Sequence, residues 1–203
     1  MHLTAIPLRY IAASDHKRYQ DKMIRLETDR LIIRDHKESD LSDYHKWISD
    51  SDLMYYIDWK TSSVEESQKD LIETIKENTN PNRTNYFFAM LEKETKSYIG
   101  AVGFTIKSKK LNTGIAECGY FLMKKYWGKG IVVEAIIKIL EFAFEELNLH
   151  KMTASCDKEN KASEKVMQKC GFLKEGELRK QKFHHNKWCD RLLYSILKEE
   201  WKN

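Results

Sequence analysis

The segment IAECGYFLMKKYWGKGIVVEAI, residues 115–136, joins a strand-like run to a helix-like run through a loop with two glycines. The run at 115–123 predicts a strand, and the apolar residues after Gly130 predict a well-buried helix. The first N–H groups of a helix are unpaired and lie at the positive end of its dipole, so a loop at this point favours an anion. Gly128 and Gly130 would let the backbone approach a phosphate closely.

This loop differs from two common phosphate-binding motifs. A P-loop would continue with Lys and then Ser or Thr, whereas Gly130 is followed by Ile131. The dinucleotide fingerprint needs a third glycine and a following βα unit, and both are missing. A single Gly-x-Gly is weak evidence, so the loop alone leaves a plain turn open.

Composition excludes several classes of protein. The chain has 203 residues, of which 41% are hydrophobic and 33% charged, so neither disorder nor a membrane protein is indicated. A net charge of +4 is too small to indicate nucleic-acid binding. We therefore expect no membrane partner and no direct contact with nucleic acid.

The cysteines indicate a reduced compartment. Four of them lie far apart and form no Cys-x-x-Cys pair, so we expect free thiols, no metal site and a cytoplasmic location, at Cys118, Cys156, Cys170 and Cys189.

The chain divides into an N-terminal extension, residues 1–22, and a single domain, residues 23–203. The extension has a short apolar patch but no strand or helix signal, and an arm packed on the domain is the alternative. Over the domain, hydrophobic periodicity predicts the order β-α-α-β-β-β-α-β-α-β-β. No repeats or low-complexity segments interrupt it.

Local signals place several element ends. Ser63 and Glu66 form a capping box that begins a helix running to about residue 78. We expect its buried stripe to consist of Val64, Leu71, Ile72 and Ile75. A polar turn is predicted at 107–113, and Gly171 is a typical residue to end the last long helix.

The segment 115–136 also resembles the core motif of the GNAT N-acetyltransferases. That family has Gln or Arg, two residues, Gly, one residue, then Gly or Ala, and here Lys125 takes the first position conservatively. ETDRLIIRD (27–35) is similar to the family's first strand, and ASCDKENKASEKVMQKCGF (154–172) to its second conserved block. NKWCDRLLYSIL (186–197) resembles the last strand of the subgroup that acetylates the N-termini of ribosomal proteins. The resemblance extends over residues 23–201.

The resemblance implies a fold and a donor. The fold is an α/β structure whose central sheet is mixed, mostly antiparallel, splayed open at the cofactor site and flanked by about four helices. The donor is acetyl-CoA, and a primary amine attacks its thioester directly. The implied CoA contacts are backbone groups of Phe121, Leu122 and Met123 for pantetheine, amides of Gly128, Lys129, Gly130 and Ile131 for pyrophosphate, and the side chain of Asn160.

Two catalytic residues follow from the same resemblance. Glu117 is the implied base, directly or through water, and a purely structural carboxylate is the alternative. Ser163 stands where the ribosomal subgroup has a serine near the sulfur. Either Asn160 or Ser163 is the expected cap of the helix that follows, and for Ser163 the two roles can coexist. Met167 occupies the position of the wider family's tyrosine acid. Lys182 replaces a glutamate of the ribosomal subgroup, which strengthens the case for Glu117.

Other residues are given structural roles. Adjacent strand residues point to opposite faces, so we expect that His184 and His185 do not share a metal, although one of them could line the acceptor end. We interpret Trp127 as a packing anchor of the loop and Cys118 as a small buried hydrophobe.

The first hypothesis for function is transfer of acetyl to the N-terminal amine of a ribosomal protein. A small amine, such as a polyamine or an amino-sugar, is the alternative acceptor. A regulatory module that binds acyl-CoA without turnover is the non-enzymatic alternative. The sequence also leaves a homodimer open.

Overall fold

The computed structural model describes residues 23–57, 63–110 and 113–201, and its centre is one eight-stranded sheet. The predicted extension at 1–22 lies outside these residues. The sheet has the order β1-β2-β3-β4-β5-β6-β8-β7, in which β5 and β6 are parallel and all other neighbours antiparallel. The strands are β1 (Arg25–Glu27), β2 (Leu31–Asp35), β3 (Asn85–Glu92), β4 (Tyr98–Lys110), β5 (Thr113–Leu122), β6 (Lys151–Asp157), β7 (Leu173–His184) and β8 (Lys187–Leu197).

Helices cover both faces of the sheet, which confirms the predicted fold class. They are α1 (Leu41–Ile48), α2 (Val64–Lys76), α3 (Ile131–Glu141), α4 (Lys161–Lys169) and the short α5 (Lys198–Trp201). A π-helical turn, Phe142–Glu146, continues α3. The predicted order is confirmed, with β1 and α5 as additions. Both additions are too short to produce a hydrophobic period.

The two sheet faces have separate cores. Tyr44 and Trp47 of α1 pack with Leu71 of α2 against Ala101 of β4. Val102, the next residue of β4, faces the other core, which includes α3 and α4. This alternation means that neighbouring residues of one strand face different helices.

The capping box of α2 is confirmed, because Ser63 Oγ accepts a hydrogen bond from Glu66 N and Glu66 Oε2 accepts one from Ser63 N. The predicted apolar stripe is wrong in part, since Val64 and Ile72 are exposed while Leu71 is buried. The interface between α1 and α2 is partly polar. His45 Nδ1 lies 2.7 Å from Ser67 Oγ, and Tyr44 donates to Asp70. These polar contacts turn α2 away from the orientation that its apolar residues alone indicate.

The predicted turn at 107–113 is shorter than expected. β4 continues to Lys110 and β5 begins at Thr113, and these two residues are paired. Backbone pairing extends this hairpin although its side chains are mostly polar. At the other end of the domain, Gly171 has φ +83° and follows α4, as predicted.

The sheet opens between β5 and β6. In the described part of the chain, their pairing runs only from Ile115↔Lys151 to Glu117↔Thr153. Beyond that step, β5 continues to Leu122 and β6 to Asp157 as separate strands. Thr153 Oγ1 donates to Ala116 O at 2.9 Å next to the last paired step. The divergence leaves a gap in the sheet that begins at Glu117.

A buried histidine lies beneath α1. His36 is 1% exposed, and neither ring nitrogen has a hydrogen-bond partner among the described residues. Its Nδ1 is 3.8 Å from Asp40 Oδ2. Burial lowers the pKa of His36 to about 4, with Arg34 and Arg83 acting in the same direction and Asp40 opposing them.

We expect the free energy of unfolding to fall as the pH is lowered from 6.5 towards about 4. In this window the unfolded chain binds a proton at His36 that the folded chain does not bind, which costs up to about 1.4 kcal/mol per pH unit. Urea unfolding at a series of pH values measures the slope. His36→Phe keeps a ring at this position and should flatten it, so an unchanged slope in that variant would contradict the assignment.

Candidate active site

One wall of the gap is the second half of β5. Met123 N donates to Ile99 O at 2.9 Å, so this residue bonds towards β4. Bonding direction alternates along an antiparallel pair, so Phe121 also bonds towards β4, while Tyr120 and Leu122 direct their backbone groups towards the gap. The pantetheine contact stays a prediction. Of the three predicted residues, 121–123, only Leu122 directs its backbone towards the gap, and Tyr120 directs its backbone there as well.

Trp127 connects the end of β5 to the glycine loop. Its Nε1 donates to Leu122 O at 2.6 Å, and its side chain is 54% exposed. The interpretation of Trp127 as a packing anchor is therefore wrong, since a hydrogen bond and not burial holds the ring. The aromatic residue of this loop that is buried is the preceding one, Tyr126. The ammonium groups of Lys125 and Lys129 lie 4.9 and 5.4 Å from the centre of its ring.

The glycine loop has the backbone that its sequence predicts. Gly128 and Gly130 have φ +76° and +73°, a left-handed conformation that favours glycine. A Cβ at Gly128 would have no heavy atom within 4 Å. Glu134 N donates to Gly130 O, so the amides of residues 131–133 precede the first hydrogen bond within α3. Exposed amides, a helix N-terminus and two lysines fit a diphosphate group.

The turn between β1 and β2 holds this loop from outside. Arg30 Nη1 donates to Lys129 O at 2.9 Å, and Arg30 Nε donates to Glu134 Oε2 at 2.6 Å. Thr28 Oγ1 donates to the other carboxylate oxygen of Glu134 at 2.5 Å. Burial alone would raise the pKa of Glu134, but these hydrogen bonds lower it overall. The only acid in the first turn of α3 is thus charged and paired with arginine.

Glu117 lies at the closed end of the gap. Its Oε2 is 3.2 Å from Lys107 Nζ, and its Oε1 accepts a hydrogen bond from Ser155 Oγ at 3.2 Å. Arg191 Nη2 in turn donates to Ser155 Oγ at 2.5 Å. The carboxylate is 40% exposed and therefore accessible. β5, β6 and β8 together orient it.

The surface beside Glu117 is open. Glu117, Gly119 and Phe121 share one face of β5, and Phe121 stacks on Trp47 with ring centres 4.7 Å apart. A Cβ added to Gly119 would meet no heavy atom within 4 Å. Gly103, its partner on β4, is different, because a Cβ there would lie 2.0 Å from Tyr86 O. Gly119 thus leaves room for a small group next to the carboxylate.

The opposite wall of the gap is the start of α4. Asn160 is the N-cap, and its Oδ1 accepts a hydrogen bond from Ser163 N at 3.0 Å. The alternative that Ser163 is the helix cap is therefore wrong. Ser163 Oγ instead lies 2.7 Å from Tyr120 OH across the gap. The CoA contact of Asn160 stays a prediction.

Two positions where this sequence departs from the family are now located. Met167 is 2% exposed in the core, so its side chain packs and presents no proton donor. Lys182 Nζ donates to Tyr56 O at 3.0 Å, which ties the β7–β8 hairpin to the segment after α1.

The histidine pair also contacts this segment. His184 ends β7, and His185 and Asn186 form a two-residue turn with φ +49° and +58°. The expectation that the two rings point in opposite directions is wrong, because His185 is in the turn and not in the strand. Their ring centres are 4.0 Å apart, and both Nε2 atoms contact Tyr55 O. Within the described ranges, no group of three or more His, Cys, Asp or Glu side chains could hold a metal ion.

The cysteines do not supply a nucleophile. All four are free thiols, and burial raises their pKa, to about 12 for Cys118 and Cys170 and to about 11 for Cys156. Thiols with such pKa values are protonated near neutral pH.

Sequence reasoning did not identify Ser155, Arg191 or Tyr120 as residues of this site. Ser155 and Arg191 are separated by 36 positions in the chain and meet Glu117 only through strand pairing. The available signal for Tyr120 was its alternation with Glu117 along β5, which assigns it to the opposite face.

Several known proteins are similar to this chain. The family model for the acetyltransferase (GNAT) domain matches residues 30–173. YnaD of Bacillus subtilis, an uncharacterized N-acetyltransferase, is 33% identical over 178 residues, which are 88% of this chain and 99% of that protein. The ribosomal protein uS5-alanine N-acetyltransferase of Escherichia coli is 24% identical over 195 residues, 88% of this chain and 93% of that protein.

Among solved structures, spermidine N-acetyltransferase of Vibrio cholerae, in complex with CoA and spermine, has a similar fold. The TM-score is 0.75 at 24% identity, covering 87% of this chain and 100% of that one. Separately, none of the helices in the described residues is long and apolar enough to cross a membrane.

The first test at this site concerns the glycine loop. Gly128→Asp would place a carboxylate where a diphosphate is expected, and like charges in a partly desolvated site repel. We expect acetyl-CoA affinity to fall on the order of 10²-fold or more. Gly128→Asn is the matched control, since Asn has the same shape and also tolerates a positive φ. Calorimetry that shows equal losses for both variants would contradict a charge effect.

The second test compares the two paired glycines. Gly103→Ala should destabilise the fold by roughly 2 kcal/mol or more, because its Cβ would overlap backbone. Gly119→Val should leave the melting temperature unchanged yet lower acetyl transfer at least ~10-fold, because misplacing reacting groups is costly. Normal turnover in Gly119→Val would show that the amine does not approach on this face.

Proposed function

The chain belongs to the GNAT family of acetyl-CoA-dependent N-acetyltransferases, and we propose that its acceptor is the N-terminal amine of a protein. The observation that favours this acceptor is the charge around Glu117. The carboxylate is contacted by Lys107 at 3.2 Å, and Arg191 is one hydrogen bond further away through Ser155. An acceptor with a single amine fits this site, because Glu117 offers one carboxylate and the neighbouring Lys107 and Arg191 would repel further positive charges.

A polyamine fits this surface less well. Spermidine carries several positive charges, and the cationic side chains of Lys107 and Arg191 beside the Glu117 carboxylate would repel them. The spermidine N-acetyltransferase of Vibrio cholerae has a similar fold, and for this reason we keep a small amine as the second candidate acceptor. The E. coli relative, whose name assigns it a ribosomal-protein alanine, supports a protein terminus.

We place the peptide acceptor beside the β7–β8 hairpin. The β7–β8 hairpin reaches across to the segment after α1, where Lys182 contacts Tyr56 O and His185 stacks on Tyr55 with ring centres 4.2 Å apart. These contacts hold the hairpin against that segment, and we propose that a peptide acceptor passes along this surface.

Acetyl-CoA supplies an already activated thioester. In the proposed reaction the amine nitrogen bonds to the carbonyl carbon, the carbon–sulfur bond breaks, and the sulfur keeps the electron pair. The α-amine of a peptide has a pKa near 8, so at neutral pH most of it must lose a proton before attack. Glu117 takes that proton, directly or through water. The nitrogen loses its second proton to solvent after it has bonded to the carbonyl carbon, and the Ser163 hydroxyl donates a hydrogen bond to the departing sulfur.

The amides of Gly128, Lys129, Gly130 and Ile131 are proposed to hold the diphosphate, and Leu122 and Asn160 to contact the rest of CoA. The four free thiols are consistent with the cytoplasm, which we propose as the compartment.

Glu117→Gln tests the proposed base. The amide keeps the shape of the carboxylate but cannot accept a proton, so kcat should fall ~10²-fold or more while acetyl-CoA affinity is retained. The control is Glu175→Gln, which removes another ion-paired carboxylate, 2.7 Å from Lys151 at the far end of β6. Steady-state kinetics with equal losses in both variants would return Glu117 to a structural role.

A screen of acceptors tests the substrate class. Peptides with free N-termini, the same peptides blocked at the N-terminus with an internal lysine, and spermidine are compared by release of the CoA thiol. We expect turnover of free N-termini and a loss of at least ~10-fold on blocking, since the reacting amine is then absent. Turnover of spermidine without turnover of any free peptide would reject the proposed acceptor.

A further inference from the structure

Tyr120 connects the two walls of the gap. Its hydroxyl lies 2.7 Å from Ser163 Oγ and donates to Ser163 O at 3.2 Å. Because Tyr120 alternates with Glu117 along β5, this hydroxyl pair is on the face of the sheet that α3 and α4 cover. The pair therefore lies on the opposite face of the sheet from the proposed base.

The protons of this pair can be arranged in two ways. The Tyr120 proton has two possible acceptors, which are the carbonyl and the hydroxyl oxygen of Ser163. When it goes to the carbonyl, the Ser163 hydroxyl can donate to Tyr120. When it goes to Ser163 Oγ, the proton of Ser163 is released for a third group. Rotating two hydroxyls is enough to change from one arrangement to the other.

The environment keeps the proton on Tyr120. Burial raises the pKa of its hydroxyl far above the usual value, and the hydrogen bond with Ser163 opposes this only in part. Tyr120 is thus a constant hydrogen-bond donor at any working pH and not an acid that gives up its proton. Ser163 is itself fixed, since Asn160 holds its backbone N–H at 3.0 Å.

We propose that Tyr120 is a positioning residue, which donates to Ser163 Oγ so that the Ser163 proton is directed at the sulfur that leaves. This inference rests on the proposed role of Ser163. In this proposal the Tyr120–Ser163 pair takes over the role of the wider family's tyrosine acid, whose position is occupied here by Met167. No proton is transferred between Tyr120 and Ser163. The carbon–sulfur bond breaks, the sulfur keeps the electron pair as a thiolate, and the shared Ser163 proton stabilises that charge.

A purely structural role for Tyr120 makes different predictions, and the chain provides a matched control. Tyr194 of β8 also ties α4 to the sheet, because its hydroxyl donates to Glu164, the residue after Ser163, at 3.0 Å and accepts from Gln168 at 3.3 Å. Both tyrosines anchor the same helix through a hydroxyl. Tyr120 alone of the two contacts Ser163 Oγ.

The experiment compares Tyr120→Phe, Ser163→Ala, the double variant and Tyr194→Phe. We expect kcat to fall ~10-fold in Tyr120→Phe and ~10–10²-fold in Ser163→Ala, the effect of one hydrogen bond to developing charge. The double variant should be no slower than Ser163→Ala. If Tyr120 acts only through Ser163, removing its hydroxyl has no further effect on kcat once the Ser163 hydroxyl is gone. Calorimetry should show acetyl-CoA affinity within about twofold of wild type in all four variants, because the proposed hydrogen bond strengthens only as charge develops on the sulfur in the transition state.

The melting temperature separates anchoring from positioning. Tyr194→Phe should lower it about as much as Tyr120→Phe does, yet keep the wild-type kcat. A normal kcat in Tyr120→Phe, or losses in the double variant that equal the product of the single losses, would overturn the proposal for Tyr120. A normal kcat in Ser163→Ala would instead remove the proposed role of Ser163, so the two failures are distinguishable.

Discussion

The divergence of β5 and β6 after the pair Glu117↔Thr153 creates the gap around which the proposed site is built. It ends the one parallel pairing in the described sheet after three steps and leaves backbone groups of β5 directed into a gap. Backbone polar groups inside a protein need partners, so this gap is suited to a ligand with amide groups of its own. The glycine loop begins at the end of the same strand, so one divergence places both a backbone wall and an anion site.

Strand alternation then separates the two halves of the proposed chemistry. Glu117 and Gly119 face α1 and α2, where the surface is open and an amine can approach. Tyr120, on the other face, contacts Ser163 of α4. A thioester lying in the gap would have a proton acceptor on one side and a hydrogen-bond donor for its sulfur on the other. Arg191 and Ser155 support the first side from β8 and β6.

The sequence predicted those features that depend on local chemistry. The order of elements, the capping box at Ser63, the glycine that ends α4 and the left-handed loop glycines all follow from neighbouring residues. It failed where partners are distant in the chain or where local backbone overrides a period. The apolar stripe of α2 was misplaced because its interface with α1 is partly polar, and the histidine rings were misplaced because His185 is in a turn. The contacts of Glu117 depend on three strands and could not be foreseen. The CoA-binding residues remain predictions from resemblance.

In the proposed complex the gap between β5 and β6 holds the donor, with the reacting carbon between Glu117 and Ser163. A crystal structure with a bisubstrate analogue, in which the CoA sulfur is joined through an acetyl bridge to the N-terminus of a peptide, tests it directly. We expect the pantetheine chain along Leu122, the sulfur within hydrogen-bond distance of Ser163 Oγ, and the peptide nitrogen on the Glu117 face beside Gly119. A sulfur distant from Ser163, or a peptide leaving on the α3 and α4 face, would contradict it.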